Sequence, residues 1–572
     1  MKSKTLSLLA AFAALSTLAF AQEPAPAEAA APEAPAAVEA AAEAAPEAAP
    51  ETAAPEAAAT KPSALAAVAA EIETSPDTDV TATTEASAGW LDRLTETVNK
   101  ADDWVWGPTL IGAILVTGIL LTCILRFVHL FNLRRAFRYT FLTESDGHGE
   151  VTSFGALCTA LSATIGTGNI VGVATAIGTG GPGALFWMEV AAFFGMATKY
   201  AEGTLAVRYR EVAPDGKVLG GPFYYIEKGL GKGWKWLAVL FAVFGVVAGI
   251  MGIGTITQIQ GITSASDRFF QLCVYKGAAA PGFDLFGAHY SWALAITGLV
   301  VTACVGLVVI GGLKRIASVS TVVVPFMAVF YVLICAFLLL GNLSKVTAAL
   351  ELIVKAAFNP QAFTGGMVGT IFIAMQKGIA RGIFSNEAGL GSAPIAAAAA
   401  KTNEPVRQGL VCMTGTFIDT IVICTMTGLA IVVTGAWEPR LGLKGVDITI
   451  EAFRQGLGFL PNADLVGPLF LSVALAFFAF TTILGWDYYS EKCLEYLVGT
   501  KRRGIVLAYR LLYVLVVFVG PYLTVSVVWG IADTFNGLMA FPNLVALVLL
   551  SPTVARLTRD YFRRLKAGEI KE

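Results

Sequence analysis

Eleven apolar segments of membrane-crossing length leave this chain few folds to choose from. They fall at 107–127, 153–178, 183–206, 237–263, 291–312, 316–341, 366–400, 408–435, 466–490, 505–523 and 536–556, and a transmembrane helix needs about 20 such residues. The chain is 56% hydrophobic and 14% charged, whereas soluble domains carry roughly 25% charge. Inside hydrocarbon a segment must satisfy its own backbone, which at this length and continuity means helix. The expectation is an all-α polytopic membrane protein. Thr524–Ile531 is apolar too and offers a twelfth span, but loop charge decides against it. Basic residues follow every odd span: Arg134 and Arg135, Arg208 and Arg210, Lys314 and Arg315, Lys401 and Arg407, Arg502 and Arg503, then Arg563 and Arg564. With the N-terminus outside, all of these lie in the cytoplasm, as the positive-inside rule requires. An odd count also puts the basic 558–572 tail inside, so eleven spans are expected.

The N-terminal end gives the same orientation. Residues 1–21 read as a signal peptide, with Lys2 and Lys4 before a short apolar run and an Ala19-Phe20-Ala21 cleavage motif. Residues 22–86 are rich in Ala, Pro and Glu and have almost nothing to bury, so disorder is expected there. Residues 87–106 place Trp90, Leu94, Val98 and Trp104 near helical spacing, the pattern of an amphipathic helix at the membrane surface. Residues 107–127 then form an extra transmembrane helix ahead of a core at 150–557. The implied location is a bacterial inner membrane, N-terminus periplasmic and C-terminus cytoplasmic.

Two spans are interrupted. Span 7 contains Gln376–Pro394, QKGIARGIFSNEAGLGSAP, where four glycines, an Arg, a Glu, an Asn and two Ser break an apolar run. Unpaired backbone and buried charge are costly in hydrocarbon, so such a stretch needs a reason. Span 2 contains Ser162–Gly172, SATIGTGNIVG, centred near Gly166. Spans 2–6 and 7–11 make two sets of five with opposite orientation, and the first member of each is the interrupted one. Either stretch alone is equally well explained by close helix packing, for which small residues are common. The pairing points instead to an inverted-repeat transporter with a site at the midplane. Free N–H groups there suit an anion and free C=O groups a cation. The breaks are read at Gly166 and at Gly382–Asn386.

Other classes find less support. Eight cysteines without a CxxC and three histidines give no metal centre, haem site or disulfide framework to expect. No Ser-His-Asp set or phosphate loop of adequate context points to an enzyme, and no repeated filter sequence points to a channel. Neither a cofactor nor a nucleic-acid partner is expected. The partners are a small solute, a co-transported cation and the bilayer, and the protein is expected to work as a monomer.

Long ordered motifs then carry a family likeness. They are GTGNIVGVATAI (Gly166–Ile177), GGPGALFW (Gly180–Trp187), GMATKYAE (Gly195–Glu202), GGPFYYIEKGL (Gly220–Leu230), GIARGIFSNEAGLGSAPIAAAAAKT (Gly378–Thr402), VRQGLVCMTGTFIDT (Val406–Thr420) and GWDYYSEKCLEYL (Gly485–Leu497). In them the chain resembles the alanine or glycine:cation symporter family, from about Trp90 to the C-terminus. Glu189 stands where the family pattern has an aromatic residue, and Asp487 and Ser490 depart slightly from it. The resemblance implies a leucine-transporter-like fold: one N-terminal helix, then a 5+5 inverted-repeat core with two broken helices. It also implies Na+-coupled uptake of alanine, D-alanine or glycine. A proton-coupled carrier of another small neutral amino acid is the alternative.

The resemblance also implies a site. The substrate carboxylate is expected at the Gly166–Gly168 backbone and the Thr167 hydroxyl, with Asn169 beside them, and at amides near Gly382–Ser385. Asn386 is the side-chain contact for the ammonium. Gln258 is either a further contact or an interhelical hydrogen bond, and Gln260 ranks below it. Trp486 either closes the pocket or anchors the helix at the interface. Na+ is expected between span 2, including Thr164, and the span 9 hydroxyls Thr481 and Thr482; such hydroxyls otherwise bond carbonyls of their own helix. Four acids lie in or near spans, Glu189, Glu387, Asp419 and Asp533, and intramembrane acids are functional candidates by default. Glu387 is expected to pair with Arg381 and brace the second break. Asp419 either completes a Na+ site or accepts a proton.

Overall fold

The computed structural model describes residues 85–142, 147–213, 217–276, 278–285, 288–358, 371–523 and 526–570. The segment expected to be a signal peptide, nearly all of the Ala/Pro/Glu-rich segment and the start of span 7 lie outside them. Among the described residues, eight helices are long and apolar enough to cross a membrane, or nine with the bent pair of span 2 taken as one.

Spans 3 and 7 fall outside that set. Span 3 is a single helix, Gly183–Tyr209, but it carries Glu189, Lys199, Glu202 and Arg208, which dilute its apolar run. Span 7 divides into Ile371–Asn386 and Ala393–Ala398. Span 4, expected to be continuous, divides too, into Lys235–Met251 and Ile256–Cys273. Side chains tie the interruption together: Thr257 Oγ1 bonds Gly252 O at 3.1 Å and Gln258 Nε2 bonds Ile253 O at 3.0 Å. Span 9, Ala463–Val498, is the axis of the bundle. Of its apolar window 83% is buried within the protein, against 33% for span 10.

The Glu85–Val105 helix packs along the start of span 11, with Val98 against Gly530 and the Trp106 indole donating to Asp533 O at 3.0 Å. Further helices outside the eleven segments pack onto the bundle. Leu343–Phe358 lies on span 3, where Trp187 Nε1 donates to Ala357 O at 3.1 Å. Val446–Gly456 roofs the bend in span 2: the Thr449 hydroxyl reaches Ile170 O at 3.4 Å, and an Arg268–Asp447 ion pair of 2.9 Å pins the helix.

At the other end of span 2 the chain is tied to the end of span 7. Glu150 N donates to Ala399 O at 2.9 Å, and Lys401 N to Val151 O at 2.7 Å. Arg210 Nη1 reaches Ala398 O at 2.6 Å and Ala400 O at 2.7 Å, while its Nη2 reaches His148 O at 2.6 Å. Helix C-termini leave carbonyls unpaired and carry partial negative charge. One guanidinium answers both needs and straps the two broken spans together.

Candidate functional site

The first break forms because a well-capped helix runs into a residue that must be glycine. The Thr152 hydroxyl accepts from Gly155 N at 3.0 Å and starts Ser153–Thr164. The span then bends by 63° before continuing. At the corner, a Cβ on Gly166 would lie 2.5 Å from Thr482 Oγ1 and 3.1 Å from Gln258 Oε1. The freed amides are taken up by side chains: Gly166 N donates to Asn169 Oδ1 at 2.9 Å, and Thr167 N to Gln258 Oε1 at 3.2 Å. Two of the donors expected to meet a carboxylate, Gly166 N and Thr167 N, are therefore engaged within the protein in this arrangement, and Asn169 and Gln258 shape the break. Gln258 thus makes the interhelical hydrogen bond foreseen as one of its two readings, and it also bonds Ile253 O of its own span.

The second break lies at Glu387–Ser392, after the expected Gly382–Asn386. Gly382 is inside the Ile371–Asn386 helix, where a Cβ would come within 2.9 Å of Met188 Cγ. With Gly378 against Ala184, it forms a small-residue stripe that seats span 7 on span 3. The helix ends where left-handed backbone begins, at Glu387 (φ 57°), Gly389 (φ 92°) and Gly391 (φ 86°). Glycine takes these angles freely; for Glu387 they are strained and must be held by its surroundings.

That holding is visible. Trp486 Nε1 donates to Glu387 Oε1 at 2.9 Å, and the Ser392 hydroxyl to Oε2 at 2.5 Å. Trp486 is completely buried, so it is not an interfacial anchor. Glu202 Oε1 accepts from Gly389 N at 3.2 Å and from Asn543 Nδ2 at 2.7 Å; Asn543 also donates to Gly389 O and accepts from the Tyr225 hydroxyl. The expected Arg381–Glu387 pair is not formed. Positions six apart do not share a helix face, and Glu387 has already left the helix. Arg381 instead lies 3.8 Å from Asp533 and over the Phe384 ring at 5.5 Å. These three residues line a cavity of about 110 Å3, together with Asp102 and Lys377.

Both breaks meet on Asp419. Asn169 Nδ2, from the first, donates to Asp419 Oδ1 at 2.8 Å, and the Ser385 hydroxyl, from the end of the first half of span 7, donates to Oδ2 at 2.8 Å. Thr420 Oγ1 adds a third bond at 2.8 Å and accepts from Asn386 Nδ2 at 3.0 Å. Asp419 sits in a widened π-helical turn, Phe417–Cys424, of the kind that often marks functional sites. On the other side of the first break, Thr482 Oγ1 lies 3.2 Å from Ile165 O, because Gly485 lets span 9 approach Ala163, and 3.1 Å from Phe478 O of its own helix, the i−4 bond foreseen for such hydroxyls. Thr481 turns away, to Met327 Sδ and Phe478 O. Thr164 bonds carbonyls of its own helix, and Gln260 bonds Gly520 O at 3.2 Å at the end of span 10.

Sequence reasoning passed over Lys199, Glu202, Asn543 and Tyr225. Lys199 is buried within electrostatic reach of Glu202, Glu387 and Asp419. It lines a small cavity with Asn386, Gln408 and Cys412. The signal was present: a Lys and a Glu three residues apart share one face of a helix inside an apolar span.

Two interrupted spans joined on a buried acid, within a bundle of apolar helices, are the construction of a membrane carrier. The protein is a multi-pass membrane transporter, and it belongs to the sodium:alanine symporter family, whose profile its residues 91–572 match. It is 52% identical over 470 residues to an uncharacterized transporter of Haemophilus influenzae, covering 82% of this chain and 96% of that one. It is 46% identical over 481 residues to the sodium/alanine symporter AgcS of Methanococcus maripaludis, covering 83% and 98%. The crystal structure of MhsT in complex with L-phenylalanine overlays with a TM-score of 0.48 at 14% identity, covering 72% and 98%.

Proposed function

We propose that this protein is a Na+-coupled symporter that takes up alanine and glycine by alternating access. The observation that carries this reading is the meeting of both breaks on Asp419, opposite the Ile165–Thr482 contact. The substrate lies among Asn169, Ser385 and Asn386, with Asp419 nearest its ammonium. Na+ takes the Ile165 carbonyl and the Thr482 hydroxyl, hard oxygen donors of the type it requires. The chain crosses a bacterial inner membrane eleven times as a 5+5 inverted repeat after one helix, N-terminus outside, C-terminus inside, as a monomer. The AgcS name and the positive-inside pattern both support this assignment.

Uptake of radiolabelled alanine into proteoliposomes tests it. Inward Na+ is expected to stimulate uptake severalfold over choline, with or without a pH gradient; equal rates in the two salts refute Na+ coupling. The two threonines then discriminate within the site. Thr482→Ala is expected to raise the half-saturating Na+ concentration about tenfold, the equivalent of roughly 1.4 kcal/mol. Thr481→Ala should leave it within about twofold, well inside that margin. The reverse order would move the Na+ site off the first break.

A further inference from the structure

Span 9 carries another buried acid, one residue beyond Trp486. Asp487 is completely buried, and neither of its carboxylate oxygens has a hydrogen-bond partner among the described residues. The donors around it are engaged elsewhere. The Ser490 hydroxyl bonds Trp486 O at 2.7 Å. The Tyr513 hydroxyl bonds Gly254 O at 2.7 Å and Ile483 O at 2.8 Å. Arg510 grips Glu491 through two bonds, of 2.5 and 2.8 Å. The Tyr509 hydroxyl lies within electrostatic reach of Asp487 and of the Ser490 hydroxyl. The charged and titratable groups facing Asp487 are thus Glu491 on its own helix and Tyr509, Arg510 and Tyr513 on span 10. Span 4, packed on the same helix, has no acid or base from Trp236 to Met251.

An ionised carboxylate stripped of water and given no donor is among the costliest groups a protein can bury. A protonated one is far cheaper. A Na+ ion here would need several converging oxygen ligands, and the hydroxyls of Ser490 and Tyr513 are directed at carbonyls instead. Glu491, one helical turn on, lines a cavity of about 620 Å3 with Arg510, Lys492 and Arg503, where span 9 ends and span 10 begins.

We propose that Asp487 is a proton-binding site, a carboxylic acid kept neutral between spans 9 and 10. It exchanges its proton with water in the Glu491–Arg510 cavity when these spans shift. The proton comes from that water and resides on one carboxylate oxygen. The site is separate from the Asp419 cluster and needs only that the protein be a carrier whose spans move, whatever the solute.

Infrared difference spectroscopy on purified protein at neutral pH tests this without any transport assay. Wild type is expected to show a protonated-carboxyl band that Asp487→Asn lacks and that Asp487→Glu retains at a shifted position. An unchanged band in Asp487→Asn would overturn the proposal, and so would a wild-type band that vanishes on adding Na+ at constant pH. Where the Asn variant fails to fold, the Glu variant decides: a shifted band supports the site, and an unshifted one refutes it.

Discussion

Asp419→Ala is expected to abolish alanine uptake while leaving a folded protein. The carboxylate accepts from Asn169, Ser385 and Thr420; its removal leaves the Ser385 and Thr420 hydroxyls without that acceptor, while Asn169 Nδ2 keeps its bond to Asp419 O at 3.2 Å. Each orphaned buried donor costs about 1–3 kcal/mol. Losing two such contacts from the transport-competent arrangement corresponds to roughly a hundredfold or more in apparent affinity. Asp419→Asn should fare little better, because its amide turns one acceptor into a fourth donor. Uptake kinetics and a thermal melt together check this. Near-normal uptake by Asp419→Asn would show that Asp419 only stabilises the fold.

Lys199→Met should act mainly on stability. It removes the buried cation from among Glu202, Glu387 and Asp419. Removing one partner of a buried charge set costs about 3–5 kcal/mol, which for a membrane carrier means a steep fall in monodisperse yield and melting temperature. Lys199→Met/Glu202→Gln is expected to recover part of the loss, since it also removes one of the uncompensated acids. A single variant as stable as wild type, or a double variant no better than the single, contradicts this account.

How much of this could be read from the sequence depended on how far apart the interacting residues lie. The apolar helices of membrane-crossing length and the first break were legible because hydropathy and the SATIGTGN run are local signals. The second break was misplaced by about five residues because two kinds of glycine stand side by side. Gly378 and Gly382 serve helix packing, whereas Gly389 and Gly391 supply the left-handed backbone, and only the three-dimensional neighbours separate them. The Arg381–Glu387 pair was inferred from nearness along the chain, yet their partners are Asp533 and Trp486, more than a hundred and about a hundred residues away. The choice between Thr481 and Thr482 turned on which of two adjacent residues faces span 2, about 100° of helix rotation that no local pattern reports. The interruption in span 4 had glycines to announce it, but a purely apolar reading ran across them.

The brace on the second break has a consequence for assembly. Gly389 is held by Glu202 and by Asn543, and the Glu202–Asn543 bond joins positions 341 residues apart. A chain made from its N-terminus inserts span 7 well before span 11 exists. Until the last span arrives, the unwound turn and the acid of span 3 sit in the bilayer without their amide partner. Insertion of the early spans can be complete while their polar interior is not. The final helix of the bundle is therefore the step that commits the earlier ones to their native packing, and a truncation within it would strike the centre of the molecule, not its edge.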